Sequence, residues 1–170
     1  MPSLATINRL DRAAFASALG HLFEHSPWVA DKTWPKRPFR GAAQLHTELC
    51  ATMRAAPRDR QLALIRAHPD LAGRLAQPRA LTAESTREQA SAGLNQLSPA
   101  ELAEFQQLND AYRTRFGFPF IICARLSRRI AILAAMRSRL ANAPEIEFQA
   151  ALGEIEKISR LRLEDLLRAK

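Results

Sequence analysis

The feature that most constrains the fold of this chain is the spacing of its apolar residues, which recur every three or four positions. A period near 3.6 places one set of residues on one face of an α-helix, whereas a half-buried strand needs alternation with period two. No stretch alternates for long, and helix-favouring alanine, leucine, arginine and glutamate form long runs. The pattern predicts an all-α fold, a single-domain bundle of seven or eight helices over residues 1–170.

In the first half of the chain, capping residues and prolines separate three predicted helices. Asp11 is a suitable N-cap for the first helix, which Ser26-Pro27 closes. The third starts after Pro57 and runs into His68. The apolar residues that these helices place on one face are Phe15, Leu19, Leu22 and Phe23, then Leu45, Leu49 and Met53, then Leu62 and Ile65.

In the second half, the clearest helix start is Ser98-Pro99-Ala100-Glu101, with serine at the cap, proline first and glutamate three residues on. Gly117 suits a left-handed cap at the end of that helix. A loop is expected around Gln77-Pro78, and a stripe after Pro119 predicts a further helix from that proline. That stripe contains Ile122, Leu126, Ile130, Leu133 and Leu140, and a last helix after Pro144 carries Phe148, Leu152, Ile155, Ile158, Leu163 and Leu166.

His68 lies where the third predicted helix is forced to stop. Pro69 disfavours the helical conformation at His68 and has no N–H to donate, so the imidazole should project from a rigid helix end. A histidine of ordinary pKa, about 6.5, carries or releases a proton near neutral pH after a small change of environment. The ring is therefore either a proton donor or a solvated histidine that balances the negative end of the helix dipole.

A helix after the Gln77-Pro78 loop opens at either Thr82 or Ser85. Ser85-Thr86-Arg87-Glu88 fits a capping box, in which Ser85 caps the amide of Glu88 and Glu88 caps the amide of Ser85. A structural role as a helix cap is enough to explain why these four residues occur together. It would also place a hydroxyl and a carboxylate beside helix-terminal amides that favour an anion, so the cap is a candidate binding site.

Two arginines of the last predicted helix have different surroundings. Arg160 lies four residues from both Glu156 and Glu164, which is the spacing of exposed ion pairs. Arg162 instead falls on the apolar stripe, where a buried guanidinium without a partner is costly. It therefore either extends to solvent or meets an anion in a pocket.

The basic character of the chain leaves its partner open. The chain has 25 Lys and Arg against 17 Asp and Glu, a formal net charge of +8, which fits an anionic partner of any size. Between Ala111 and Pro144 the ionisable side chains include seven arginines and no acid, a pattern of either a solvated face or a nucleic-acid surface. These arginines are Arg113, Arg115, Arg125, Arg128, Arg129, Arg137 and Arg139.

One short motif points to zinc. His21, Glu24 and His25 match H-x-x-E-H, in which two histidines one helical turn apart bind the metal. Ser26-Pro27 ends the helix at the second histidine, and Phe23 is needed for the core. No metal site is predicted.

Cysteine usage and the chain's apolar segments indicate a cytoplasmic protein. Cys50 and Cys123 lie far apart in apolar segments, so they read as buried thiols of a reducing compartment. The chain shows no signal-peptide pattern, no run of 18 apolar residues and no peroxisomal tripeptide at its end. We expect no membrane association.

Several spaced stretches, in a fixed order, resemble one known family. They are Phe23 to Ala30, Ala67 to Leu71, Ser85 to Gln89 with Ala92 to Leu94, Leu108 to Tyr112, Phe116 to Ile122, and Ile158 with Leu161 to Leu163. Together they cover nearly the whole chain and are similar to motifs of the 2-oxo-4-hydroxy-4-carboxy-5-ureidoimidazoline (OHCU) decarboxylases of urate breakdown.

The resemblance implies a carboxy-lyase that converts OHCU to (S)-allantoin and CO2, the third step from urate to allantoin. It implies an all-α enzyme without metal or other cofactor, usually a homodimer, acting on a small anionic substrate and not on nucleic acid. The catalytic acid would be His68, with Glu88 and Arg162 as its helpers. The implied substrate contacts are Pro69, Ser85, Thr86, Arg87, Glu88, Gln89, Phe120, Ile121, Ile122, Cys123 and Ala124.

These residue types suit the reaction. Loss of CO2 leaves a carbanion whose charge spreads into the imine and carbonyl of the substrate ring, so the protein must orient the carboxylate and deliver one proton. Glu88 near His68 would favour the imidazolium. Arg162 and the amides of a helix after Pro119 would hold the anion. The alternative is a basic all-α module that binds nucleic acid or another anion without catalysis.

Overall fold

The computed structural model describes residues 2–72 and 82–168, and its fold confirms the all-α prediction. Within this part of the chain two compact units are present, one of residues 2–64 and 156–168 and one of residues 65–72 and 82–155. The single domain over residues 1–170 stays a prediction, and the loop expected at Gln77-Pro78 lies outside the described residues. The α-helices of the described ranges are α1 Leu4–Arg9, α2 Arg12–Leu19, α3 Trp28–Thr33, α4 Ala42–Arg54, α5 Arg58–Arg66, α6 Ala83–Ser91, α7 Pro99–Phe116, α8 Arg129–Arg139 and α9 Pro144–Arg168.

In the first unit, Asp11 caps α2 as predicted, since its carboxylate accepts a hydrogen bond of 2.8 Å from the Ala14 N–H. The helix is shorter than predicted, because it ends at Leu19 and continues as a 3-10 turn over Gly20–Leu22. A Cβ at residue 20 would lie 3.1 Å from the Pro27 Cβ, a tight contact that favours a glycine where the chain returns to this point. All four predicted apolar residues of this segment are nevertheless buried: Phe15, Leu19, Leu22 and Phe23.

The next helix of this unit, α4, confirms its predicted apolar face. Leu45, Leu49 and Met53 follow each other at four-residue spacing and are fully buried. One turn of helix separates each from the next, so the three side chains form a continuous stripe.

In the second unit, both ends of α7 are as predicted. The Ser98 hydroxyl accepts from the Glu101 N–H while the Glu101 carboxylate accepts from the Ser98 N–H, which completes the capping box. Gly117 closes the helix at φ 74°, in the left-handed region where glycine carries no Cβ penalty. Phe105 and Tyr112 are fully buried on the inner face of this helix.

The helix predicted from Pro119 begins later than predicted. The chain is irregular from Phe118 to Cys123, forms a 3-10 turn over Ala124–Leu126, and enters α8 only at Arg129. The predicted stripe is wrong in part: Leu133 is buried on α8, but Leu126 and Ile130 are 59% and 75% exposed. The apolar spacing was helical, but the buried residues before Ala124 form an irregular segment whose backbone bonds to distant side chains.

None of the helices in residues 2–72 and 82–168 is both long and apolar enough to cross a bilayer.

Candidate active site

His68 lies two residues beyond the end of α5, as the proline after it predicts. Its N–H donates to the Ile65 carbonyl at 3.2 Å, which extends the last turn of the helix by one hydrogen bond. The side chain is buried, with 6% exposure, so the solvated helix-end interpretation is wrong. A buried imidazole has a fixed position, as a proton donor requires.

The turn after His68 is held by two amide side chains. Gln89 accepts from the Ala72 N–H at 3.1 Å and donates to the Asp70 carbonyl at 3.3 Å. Asn109, on the buried face of α7, donates to the Leu71 carbonyl at 2.9 Å. Ala72 has a φ of 47°, a conformation that costs an alanine about 1–2 kcal/mol and therefore needs such external restraint.

A surface ion pair adds a third restraint on the same turn. Asp70 accepts from the Arg113 Nε at 2.9 and 3.1 Å. The segment that follows His68 is therefore attached to α6 through Gln89 and to α7 through Asn109 and Arg113.

The start of α6 differs from the predicted capping box. Thr82 is the N-cap, and its hydroxyl accepts from the Ser85 N–H at 3.2 Å. Ser85 lies inside the first turn and is buried, and its hydroxyl accepts from the Thr82 hydroxyl at 3.0 Å, so Ser85 is not the N-cap residue. Threonine and serine are both good caps, and burial of Ser85 leaves Thr82 as the residue at the helix boundary.

The remaining candidate residues of α6 differ in exposure. Thr86 is exposed and its hydroxyl donates to the Thr82 carbonyl at 3.0 Å. Arg87 is exposed and pairs with Glu84. Glu88 is half-buried. These observations favour Ser85 and Glu88 over Thr86 and Arg87 as groups that face the interior of the unit.

The segment from Phe120 to Ala124 meets α6 in the same unit. α6 packs against the 3-10 turn that begins at Ala124. Burial raises the pKa of the Cys123 thiol, and the negative charges of Glu154 and Glu88 raise it further, so the Glu88 carboxylate lies within electrostatic range of Cys123. The Cys123 N–H donates to Glu154 at 2.8 Å. The sequence predicts a helix start with free N–H groups after Pro119. The structure has an irregular segment there instead, and the N–H of Cys123 bonds to a side chain.

Arg162 belongs to the first unit and is buried there, with 5% exposure. Its Nη1 donates to Glu24 Oε2 at 3.0 Å and to the His21 carbonyl at 3.2 Å. Of the two alternatives for Arg162, extension to solvent is wrong, because the buried guanidinium pairs with a buried glutamate of the same unit. Arg160 is 59% exposed and pairs with Glu164 at 3.6 Å, as expected.

The structure does not place His21, Glu24 and His25 on one helix as the zinc motif requires. The helix ends before His21, which is exposed like His25, while the carboxylate between them in sequence pairs with Arg162. Across residues 2–72 and 82–168, no three or more His, Cys, Asp and Glu side chains are grouped to hold a metal ion.

The sequence analysis missed several residues that shape this region. Asn109, Glu154 and Arg139 each bond to the backbone of a candidate segment. Asn109 could have been found by the criterion applied to Arg162, because it lies on the apolar face of a helix, four residues after Phe105. The partner of each group lies 18 to 38 residues away, and no local pattern identifies it.

Comparison with known proteins points in one direction. A family model described as OHCU decarboxylase matches residues 8–164. A Mus musculus protein named 2-oxo-4-hydroxy-4-carboxy-5-ureidoimidazoline decarboxylase is 45% identical over 166 residues, which cover 98% of this chain and 93% of the relative. A protein of the same name from Halalkalicoccus jeotgali is 44% identical over 160 residues, covering 94% and 89% of the two chains.

Two solved structures are similar as well. A crystal structure of an (S)-allantoin synthase superposes with a TM-score of 0.79 at 30% identity, covering 98% of this chain and 54% of that one, so the present chain spans about half of its length. A crystal structure of an OHCU decarboxylase in the presence of (S)-allantoin has a TM-score of 0.72 at 23% identity, covering 94% and 100% of the chains. The second likeness concerns the fold alone.

Proposed function

Because the chain belongs to the OHCU decarboxylase family, we propose that it converts OHCU to (S)-allantoin and CO2 without a cofactor. The bond between the ring carbon and its carboxylate breaks, and CO2 leaves. The electron pair moves into the imine and carbonyl of the ring. A proton then goes to one face of that carbon, which sets the configuration of the product.

In this proposal the proton comes from His68. Its imidazolium N–H is spent at each turnover and is regained from solvent. Glu88 stabilises the imidazolium by its negative charge. The substrate site is lined by Ser85, Gln89 and the segment from Phe120 to Ala124.

For Arg162, which lies in the first unit, we propose a role as a cation for the substrate carboxylate. A guanidinium has five N–H donors, so it can pair with Glu24 and still donate to a second anion. The Glu24 bond also fixes the plane in which those donors lie, since both side chains are buried.

The observation that carries the proposal is the restraint of the His68 turn. Gln89, on the helix that also carries Glu88, bonds to the backbone at Asp70 and Ala72. A proton donor followed by a fixed turn, attached to the helix of its acidic helper, supports stereospecific protonation.

The basic binding module is the weaker candidate. Arg113, Arg129, Arg137 and Arg139 each form an ion pair with a carboxylate of the same unit, which reduces the positive charge available to a polyanion. The homodimer implied by the family resemblance and the cytoplasmic location inferred from cysteine usage and the apolar segments remain predictions. Light scattering on the eluting protein tests the first.

The test is product chirality. OHCU is generated freshly from urate, and the optical activity of the allantoin formed is followed, because spontaneous decay yields a racemate. The wild type should give optically active product, and His68→Ala should give a racemate at the spontaneous rate. His25→Asn is the matched control, since His25 is exposed at φ 45°, a conformation that asparagine tolerates. Full activity of folded His68→Ala would refute the mechanism.

A further inference from the structure

The irregular segment before the 3-10 turn is buried without secondary structure. Phe120, Ile121 and Cys123 are 1–3% exposed, yet none lies in a helix or strand. Buried N–H and C=O groups need hydrogen-bond partners, and outside secondary structure side chains must supply them. The shape of this segment therefore depends on the side chains that bond to it.

Two side chains, one from α8 and one from α9, form hydrogen bonds with the backbone of this segment. Arg139 of α8 donates from Nη1 to the Ile121 carbonyl at 2.8 Å. Glu154 of α9 accepts from the Cys123 N–H at 2.8 Å. The Arg139 guanidinium also lies over the Phe120 ring, with 4.4 Å between its central carbon and the ring centroid. Arg139 thus contacts two consecutive residues of the segment.

Arg139 is itself held by a buried carboxylate. Glu147 is fully buried and accepts from the Arg139 Nε at 2.9 Å and from its Nη2. The same carboxylate accepts from the Tyr112 hydroxyl and, at 2.8 Å, from the Asn142 amide. Because the guanidinium is planar, the bonds from Nε and Nη2 to Glu147 fix the direction of Nη1, which points toward the Ile121 carbonyl.

We propose that Arg139 is a positioning residue of the substrate site, which sets the path of Phe120–Ala124 through the Ile121 carbonyl and the Phe120 ring. This inference rests on the proposed function, which assigns that segment to substrate binding. It also explains one member of the arginine-rich stretch: Arg139 belongs to the interior, with 16% of its side chain exposed, and not to a solvated face.

The test compares two arginines of α8 in lysine variants. Arg139→Lys keeps the charge beside Glu147 but removes the planar fork, so it cannot hold Glu147, Ile121 and Phe120 together. We expect KM for OHCU to rise about tenfold or more, as for loss of a hydrogen bond to a charged group, with kcat changed much less. Arg137→Lys is the control, because Arg137 is exposed and pairs with half-buried Glu104. It should leave both constants unchanged.

A second readout reports on the segment itself. In amide NMR spectra, Arg139→Lys should shift the resonances of Ile122 and Cys123 and leave those at the start of α7 in place. If Arg139→Lys fails to fold, the double variant Arg139→Met/Glu147→Gln removes the Ile121 bond without leaving a buried charge alone. Arg137→Met/Glu104→Gln is then the control.

Three outcomes decide the matter. A raised KM with shifted amides supports the inference. An unchanged KM in an active enzyme overturns it and leaves the proposed function standing. A wild type that produces only racemic allantoin overturns the proposed function and this inference with it.

Discussion

Arg160→Ala and Arg162→Ala remove the same group two residues apart on α9, yet we expect very different losses of stability. The Arg162 side chain is 4% exposed and lies 3.0 Å from a Glu24 carboxylate whose side chain is 1% exposed. The Arg160 side chain is 59% exposed, and its partner Glu164 is 3.6 Å away. The two variants therefore differ in what they leave behind.

The expected magnitudes follow from burial. Arg162→Ala removes the cation from a buried ion pair, a change that costs about 3–5 kcal/mol. For a chain of this size, about 2–4 °C per kcal/mol converts that loss to a fall in Tm of roughly 6–20 °C. Arg160→Ala breaks an exposed i,i+4 pair and should cost about 0.3–0.5 kcal/mol.

The assay is urea unfolding followed by far-UV circular dichroism. A third variant, Glu24→Gln/Arg162→Met, removes both charges, and it should recover much of the stability lost in Arg162→Ala because no buried charge is left alone. If Arg162→Ala is no less stable than Arg160→Ala, the burial argument is wrong. If the double variant is as unstable as Arg162→Ala, the loss comes from packing and not from charge.

Two further predictions concern titration and thiol reactivity. The hydrogen bond from the Ser98 N–H lowers the pKa of Glu101, so its contribution to stability is present above the pKa of an unfolded glutamate, about 4.3, and is lost as pH falls through the folded value. Glu101→Gln should therefore flatten the fall in Tm on acidification, and identical curves for the two proteins would contradict this. Burial raises the pKa of Cys50 to about 12, so its thiolate is scarce at neutral pH. Alkylation at Cys50, located by peptide mass spectrometry, should be far slower in native than in urea-unfolded protein, and equal rates would refute it.

Local sequence was sufficient where a structure depends on residues close in the chain. The capping box at Ser98 and the left-handed cap at Gly117 are formed by neighbours within four residues, so their types and order identify α7. His68 before Pro69 is the same kind of case, since the proline acts on the residue beside it. The all-α class follows from summing many such local preferences.

Where two nearby residues could each form the same local structure, the sequence does not decide between them. Thr82 and Ser85 are both competent caps, and only the burial of Ser85 in the second unit decides between them. The helix expected from Pro119 begins later for a related reason. The bonds from Arg139 to Ile121 and from Glu154 to Cys123 stabilise an irregular path that local propensity opposes.

The sequence by itself determined the all-α class, both ends of α7, the end of α5 shortly before His68 and the anomaly of an arginine on the apolar face of α9. Tertiary structure alone decided what these groups contact. Glu24 lies 138 residues from Arg162 along the chain, and Asn109 lies 38 residues from the Leu71 carbonyl that it holds. Such pairs form because buried charges and buried backbone groups need hydrogen-bond partners. The helical periodicity of the sequence shows that a polar group will be buried, but it does not identify the distant residue that pairs with it.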